Sequence, residues 1–286
     1  MPARESRPAA PPCPVALLPL TGPGPRGAAR RIGSVALVGA GPGNPELLTL
    51  AALREIEAAD VVVHDRLVSP EILALIPAGV RRIDVGKRPQ HHPVPQDEIN
   101  ALLVALARAG HRVARLKGGD PFIFGRGSEE AAALARAGVP VRVVPGITAA
   151  QAAAAASGVP LTHRGLATGV RYVTGHRAKD ARLDLDWAGL ASEQTTLVVY
   201  MGVASIGEIA TELMLHGMPG SLPVLAVAEA TTRRERRLPS RLDRIAADVA
   251  RARLGAPVLF IIGHVAGLCA EAGAALPDVL LQAAHA

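Results

Sequence analysis

Residues 115–130 read RLKGGDPFIFGRGSEE. A strand-like run that begins at Arg112 ends here on Gly118 and Gly119, passes through Asp120 and Pro121, and gives way near Ser128 to an alanine-rich helical stretch. Strand, glycine turn and helix in that order are the repeating unit of α/β architecture. Bare backbone at such a junction lets another group approach the main chain closely.

The same order recurs on both sides. SVALVGA from Ser34 is a continuous apolar strand, followed by the turn GAGPGNP and a helix expected from about Pro45 to Ala59. Asn44 is placed to cap that helix, and Pro45 at its first position gives up only an N–H that would be unpaired anyway. VVVHD predicts a strand, Pro70–Leu75 a short helix and RRIDVG a further strand. Across 96–109, Ile99, Leu102, Leu103 and Leu106 recur at spacings of three and four, the signature of an amphipathic helix. VRVVPG then predicts a strand, and the alanine run after Thr148 a helix. These strands are apolar throughout, as in a parallel sheet covered on both faces.

The expectation is therefore an α/β domain over 32–145. SGVPLTHRG, residues 157–165, lacks periodicity and reads as the crossing into a second α/β unit within 146–270. Its strands would be VRYVTG, TTLVVYM, LPVLAVAEA and PVLFIIG, with helices near 203–216 and 241–253. Sites in such folds gather at the carboxyl ends of strands and between domains.

Composition narrows the function classes. Five arginines against Glu5 within residues 1–31 carry four of the net six positive charges, so the remaining body is nearly balanced and is not a nucleic-acid binder by charge. That first stretch is rich in Pro, Ala, Gly and Arg and reads as a disordered extension. Residues 271–286 read as a C-terminal tail. RRERR at 233–237 reads as a solvated basic turn. No apolar run reaches the roughly 18 residues of a membrane span. Cys13 and Cys269 lie far apart without a partner at ligand spacing, and the adjacent His91 and His92 would point apart, so neither a disulfide framework nor a metal site is expected. A soluble protein of a reducing, cytoplasmic setting fits these features.

Three turns carry the chemistry. In GAGPGNP, Gly39, Gly41 and Gly43 are evenly spaced and Pro42 and Pro45 interrupt them, so the dinucleotide pattern with a third glycine inside the helix start is not met. No lysine-serine or lysine-threonine pair follows a glycine loop, which excludes a P-loop nucleotide site. Gly118 and Gly119 end another strand, and PGITAA at 145–150 follows a third. Asp120 can accept hydrogen bonds from a ligand's ammonium or hydroxyls, or can cap its own Asp-Pro turn. Glu129, three residues from Arg126 near a helix start, can share a face with it.

VGAGPGNPELLTL (38–50), VVVHDRLVSPEIL (61–73), VGKRPQHHPVPQDEIN (85–100), RLKGGDPFIFGRGSEE, VVPGITAA (143–150), GVPLTHRG (158–165), VTGH (173–176) and VVYMG (198–202) occur in the order found in one family. On these motifs the chain resembles the uroporphyrinogen-III C-methyltransferases among the tetrapyrrole methyltransferases. The resemblance covers about residues 34–265. It implies two α/β domains with a cleft between them for S-adenosylmethionine and the tetrapyrrole, usually in a homodimer, and the conversion of uroporphyrinogen III to precorrin-2 through precorrin-1.

By that resemblance Pro42, Gly118, Gly119, Asp120, Ile123, Thr148, Ala149 and Met201 fall on donor-binding positions. Ala230 falls on a further one, where glycine is frequent. Asp65 and Lys87 fall on those of proton acceptor and donor. Arg126, Glu129, Arg164, Tyr200 and Met201 fall on the substrate side. The substrate's eight carboxylates suit guanidiniums, which hold carboxylates in a bidentate way; Arg66, Arg88, Arg126 and Arg164 lie in motif segments. A ring proton must also leave, and a carboxylate raised by burial can take it. Glu129 and Asp65 compete for that role, and Asp65 can instead cap the turn before LVSPE.

The chain departs from the family pattern at Glu235, Arg236 and Arg237, at Ser240–Leu242 and at His264, which puts the C-terminal side of the donor pocket in question. Rival readings are a tetrapyrrole methyltransferase acting at another ring position, a nucleotide-dependent oxidoreductase built on GAGPG, and a non-catalytic donor-binding regulator.

Overall fold

The computed structural model describes residues 32–86, 94–176 and 182–269. Strands β1 (Ser34–Gly39), β2 (Val61–His64), β3 (Arg81–Asp84), β4 (Arg112–Lys117) and β5 (Val141–Val144) form one sheet in the order β3-β2-β4-β1-β5, every pair parallel. Helices α1 (Leu50–Glu57), α2 (Pro70–Leu73), α3 (Gln96–Arg108) and α4 (Gly127–Arg136) connect them. Val38, Ala114 and Leu116 face a core shared with Ile56 and Ile72, while Val35, Leu37 and Val113 face another built on Leu103, Leu106 and Leu134. Burial on both faces is why these strands are apolar without alternation.

Helix α5 (Ala149–Ser157) leads into a second sheet of β6 (Gly169–Thr174), β7 (Thr195–Tyr200), β8 (Pro223–Ala228), β9 (Arg236–Arg241) and β10 (Val258–Ile262). Its order is β6-β7-β10-β8-β9; only β6 and β7 run parallel. Ala150 and Ala153 of α5 pack on Val198, Leu225, Val227 and Ile261 of this sheet. The opposite face is covered by helices α6 (Trp187–Leu190), α7 (Ile206–Leu215) and α8 (Ile245–Ala252), through Ile209, Leu213 and Ile245 against Leu197, Val199 and Phe260.

Two expectations need correction. The helix expected from Pro45 to Ala59 is two pieces: a 3-10 turn over Pro45–Leu47, whose Glu46 N–H donates to the Asn44 side chain, and α1. Leu48 is extended between them because Thr49 starts a fresh helix, its Oγ1 accepting the Ala52 N–H at 3.1 Å. The basic stretch 233–237 is not only a solvated turn. Arg236 and Arg237 begin the edge strand β9, paired antiparallel with Ala228 and Val227. An edge strand tolerates exposed charge on its open side, so the arginines hid a strand.

Candidate active site

The strand order puts β4, β1 and β5 side by side, so the three glycine turns that follow them emerge from adjacent carboxyl ends. They do more than adjoin. Gly41 and Gly119 form a two-bond bridge, the Gly119 N–H donating to the Gly41 carbonyl at 2.7 Å and the Gly41 N–H to the Gly119 carbonyl at 3.1 Å. A side chain on Gly39 would place its Cβ 2.4 Å from the Gly146 nitrogen and 2.7 Å from the Gly119 oxygen; on Gly146 it would lie 2.3 Å from that oxygen. Only glycine permits this approach of three main chains. Gly119 lies against Thr148 and Ala149 as well.

Asp120 ties the second turn to the third. Its Oδ1 accepts the Phe122 N–H at 2.8 Å and its Oδ2 the Gly146 N–H at 3.1 Å. It therefore does cap its own turn. An ionised carboxylate has acceptor capacity for about four hydrogen bonds, so two such bonds leave room for a ligand's donors. Ile123 is half-buried in the same turn, its N–H reaching the Asp120 carbonyl at 3.4 Å.

Thr148 caps α5 in a reciprocal box with Gln151. Here the second sheet arrives: the Tyr200 hydroxyl at the end of β7 accepts the Ala150 N–H at 3.2 Å, and burial pushes its phenol pKa upward. The Tyr200 ring lies 5.0 Å from Phe124, which belongs to the second glycine turn, and 5.6 Å from Tyr172 of β6. Met201 follows with φ of 54° and is half exposed. Gly118, Gly119, Asp120, Thr148, Ala149, Tyr200 and Met201 thus belong to one contiguous region.

Pro42 follows the bridged Gly41 and lines an adjoining stretch of surface. With Gly43, Arg66–Glu71, Glu229, Thr232–Arg234 and Ala256–Pro257 it encloses a cavity of about 520 Å³, within the range of small-molecule pockets. Ala230 sits between Glu229 and Thr231, both at positive φ. Glu235 holds that turn, its Oε2 accepting the Thr231 N–H at 2.7 Å and its Oε1 facing Arg237 at 2.6 Å. One departure from the family pattern therefore supports the Ala230 turn. His264 lies elsewhere, exposed and paired with Glu193 at 3.0 Å.

Among the residues assigned to proton transfer, Lys87 lies outside the described residues, as do Arg88, His91 and His92. Asp65 follows β2, its Oδ1 accepting the Leu67 N–H at 3.0 Å and its Oδ2 lying 3.9 Å from Arg115 Nη1. Leu67 abuts Gly118 so closely that a Cβ there would come within 2.7 Å of the leucine Cβ. Arg126 and Glu129 do share a face and bind each other through two bonds of 2.7 and 2.6 Å. The Glu129 carboxyl is held below its ordinary range by the Arg126 hydrogen bond, the reverse of a base raised by burial. Arg164 is exposed in the loop before β6, where its carbonyl faces the His163 Nδ1 at 2.7 Å.

Sequence reasoning overlooked the layer beneath. Arg115, Lys117 and Glu130 are almost wholly buried. Glu130 Oε1 faces Lys117 Nζ at 2.9 Å, Arg115 Nε at 3.2 Å and Gln96 Nε2 at 3.2 Å. Burial, and then the neighbouring Arg115 charge, push the Lys117 pKa down. A signal was present: beyond the exposed Arg112 at its start, two cations at alternate positions of an apolar strand cannot both be solvated in a sheet covered on both faces. Among the described residues no cluster of His, Cys, Asp and Glu could hold a metal, and no helix is long and apolar enough to cross a membrane.

Known proteins resemble this chain along most of its length. The chain is 64% identical over 251 residues to the uroporphyrinogen-III C-methyltransferase of Paracoccus denitrificans, covering 88% of this chain and 87% of that one. It is 54% identical over 236 residues to the siroheme synthase of Methylococcus capsulatus, of which it spans only half. The crystal structure of the uroporphyrin-III C-methyl transferase from Thermus thermophilus complexed with S-adenyl homocysteine superposes with a TM-score of 0.72 at 43% identity, covering 87% of this chain and all of that one. Residues 34–246 match the model of the Tetrapyrrole (Corrin/Porphyrin) Methylases. Two α/β sheets joined as described, with this match along most of the chain, make it a member of the tetrapyrrole methylases.

Proposed function

We propose that this chain is a uroporphyrinogen-III C-methyltransferase: it moves two methyl groups from S-adenosylmethionine to uroporphyrinogen III, giving precorrin-2 through precorrin-1, and releases S-adenosylhomocysteine. What supports the reading is the convergence of three glycine turns with the Tyr200–Met201 end of β7, in a chain 64% identical along most of a relative of that name. In this reading residues 32–145 hold the donor turns, residues 146–270 complete the site, and the enzyme works in the cytoplasm as a homodimer.

The residues present suit the donor. Bare main chain at Gly118 and Gly119, the Asp120 carboxylate, the Thr148–Ala149 helix start and the exposed Met201 offer acceptors, donors and an apolar contact within one region. Pro42, Ile123 and Ala230 complete the set assigned to it. When bound, S-adenosylmethionine supplies an electrophilic methyl group on a sulfonium.

The chain's own work is positioning and proton handling. Arg126 and Arg164 bind substrate carboxylates, which requires Arg126 to exchange Glu129 for the ligand; both side chains are about half exposed, so the exchange is inexpensive. Tyr200 and the neighbouring Phe124 give the macrocycle an aromatic wall. Asp65 takes the proton that the macrocycle loses as each carbon–carbon bond forms, which balances the positive charge the sulfonium gives up, and Lys87 is assigned the family's proton-donor position. Holding two reactants aligned can contribute on the order of 7 to 11 kcal/mol, so few chemical groups are needed.

The deciding experiment is an anaerobic incubation of purified protein with uroporphyrinogen III and methyl-labelled S-adenosylmethionine, reading product mass and absorbance. Two labels on adjacent pyrrole rings are expected. Donor binding without a methylated product would leave only a binding protein.

A further inference from the structure

Two cations converge on one carboxylate beneath the glycine turns. Arg115 and Lys117 both address Glu130 Oε1, while Oε2 has no hydrogen-bond partner among the described residues. With both cations protonated the buried group carries one positive charge in excess. Ions out of water still cost several kcal/mol each after relaxation, so such an excess needs an anion nearby. The other acidic groups that interact with it are Glu129 of α4 and Asp65 after β2. Glu129 is engaged by Arg126. Asp65 is the acid that turns toward the excess, with Oδ2 3.9 Å from Arg115 Nη1.

Arg115 is itself immobilised. Its Nε is tied to Glu130 and its Nη1 donates to the Leu116 carbonyl at 2.9 Å. The path continues upward through Asp65 Oδ1 to the Leu67 N–H, and from Leu67 to Gly118 by direct packing. We propose that Arg115, buttressed by Glu130, is a positioning residue that fixes the Asp65 carboxylate beside the Gly118 turn. The inference rests on Asp65 being the proton acceptor in the activity proposed above. Arg115 touches neither reactant; it acts through Asp65.

A double-mutant cycle tests this. Initial rates of methylation are compared for wild type, Asp65→Asn, Arg115→Met and the double variant, with Arg115→Lys as the conservative control. Arg115→Met should lower kcat on the order of 10²-fold, the scale of a misplaced general base, and leave the donor KM unchanged. In the Asp65→Asn background the same change should cost nothing further, because its effect runs through that carboxylate. Arg115→Lys keeps the charge but loses the fork, and should recover part of kcat. Should Arg115→Met not fold, Arg115→Lys in both backgrounds closes the same cycle, and full turnover by it overturns the inference.

Losses that multiply in the double variant would mean a merely structural role and overturn the inference while the proposed activity stands. Normal turnover by Asp65→Asn would remove the acceptor role and the inference together. A wild type that binds donor but methylates nothing would refute the activity and, with it, this role for Arg115.

Discussion

Glu129 and Glu130 are neighbours in the first turn of α4, yet one is half exposed and the other fully buried. Each carboxylate meets guanidinium. Glu129 and Arg126 face solvent, joined by two short bonds that a carboxylate ligand can replace. Glu130 faces inward onto Arg115 and Lys117, where nothing can replace it. The helix turns about 100° per residue, enough to send adjacent acids into different dielectric environments. The upper pair is available for binding and contributes little to stability. The lower group is a poor source of net stability but costly to break, because removing one partner strands a buried charge.

The largest effect is expected from Glu130→Gln. It would leave Arg115 and Lys117 buried without their carboxylate and should destabilise the protein by about 3 to 5 kcal/mol, read as a lower midpoint in urea unfolding. A loss no larger than that of a surface pair would show that water reaches the cluster. Gly146→Ala comes next. Its Cβ would overlap the Gly119 carbonyl, and forced overpacking should cost about 1 to 3 kcal/mol. Donor affinity measured by calorimetry should fall with it, since the turns must part. Unchanged stability and affinity would mean that the three main chains are not locked together.

Glu129→Gln sits at the small end, below about 1 kcal/mol. Its sign with pH is defined. Arg126 lowers the folded-state pKa of Glu129, so the pair's contribution is in place above the ordinary carboxyl value and is lost as pH falls through the folded value. Thermal melts of wild type and variant should therefore differ slightly at neutral pH and coincide well below about pH 4. A difference that grew on acidification would reverse the assignment.

Element order was legible because apolar strands such as SVALVG and the three-and-four spacing of Ile99, Leu102, Leu103 and Leu106 reflect burial directly. The glycine turns were legible for a related reason: a missing Cβ marks close approach. Two things were not. The break between the 3-10 turn and α1 depends on Thr49 competing with the preceding residues for the helix start. Strand β9 depends on the open edge of β8, a site that exists only once the second sheet is assembled.

The site divides along the same line. The strand-end pattern was enough to single out Gly118, Gly119 and Asp120, since each lies where local sequence ends a strand, whereas Thr148 entered through the resemblance to the family. Their mutual contact came from the strand order, which sets β4, β1 and β5 side by side although the turns themselves are scattered along the chain.

By itself the sequence determined the kinds of segment, their order and the turns where backbone is laid bare, because these follow from local periodicity and from steric rules within a few residues. Tertiary structure alone decided which acid faces water and which faces Arg115 and Lys117, and that Asp65 stands over their surplus charge. Charge pairing and desolvation depend on what surrounds a group in space, and elements distant along the chain supply those surroundings.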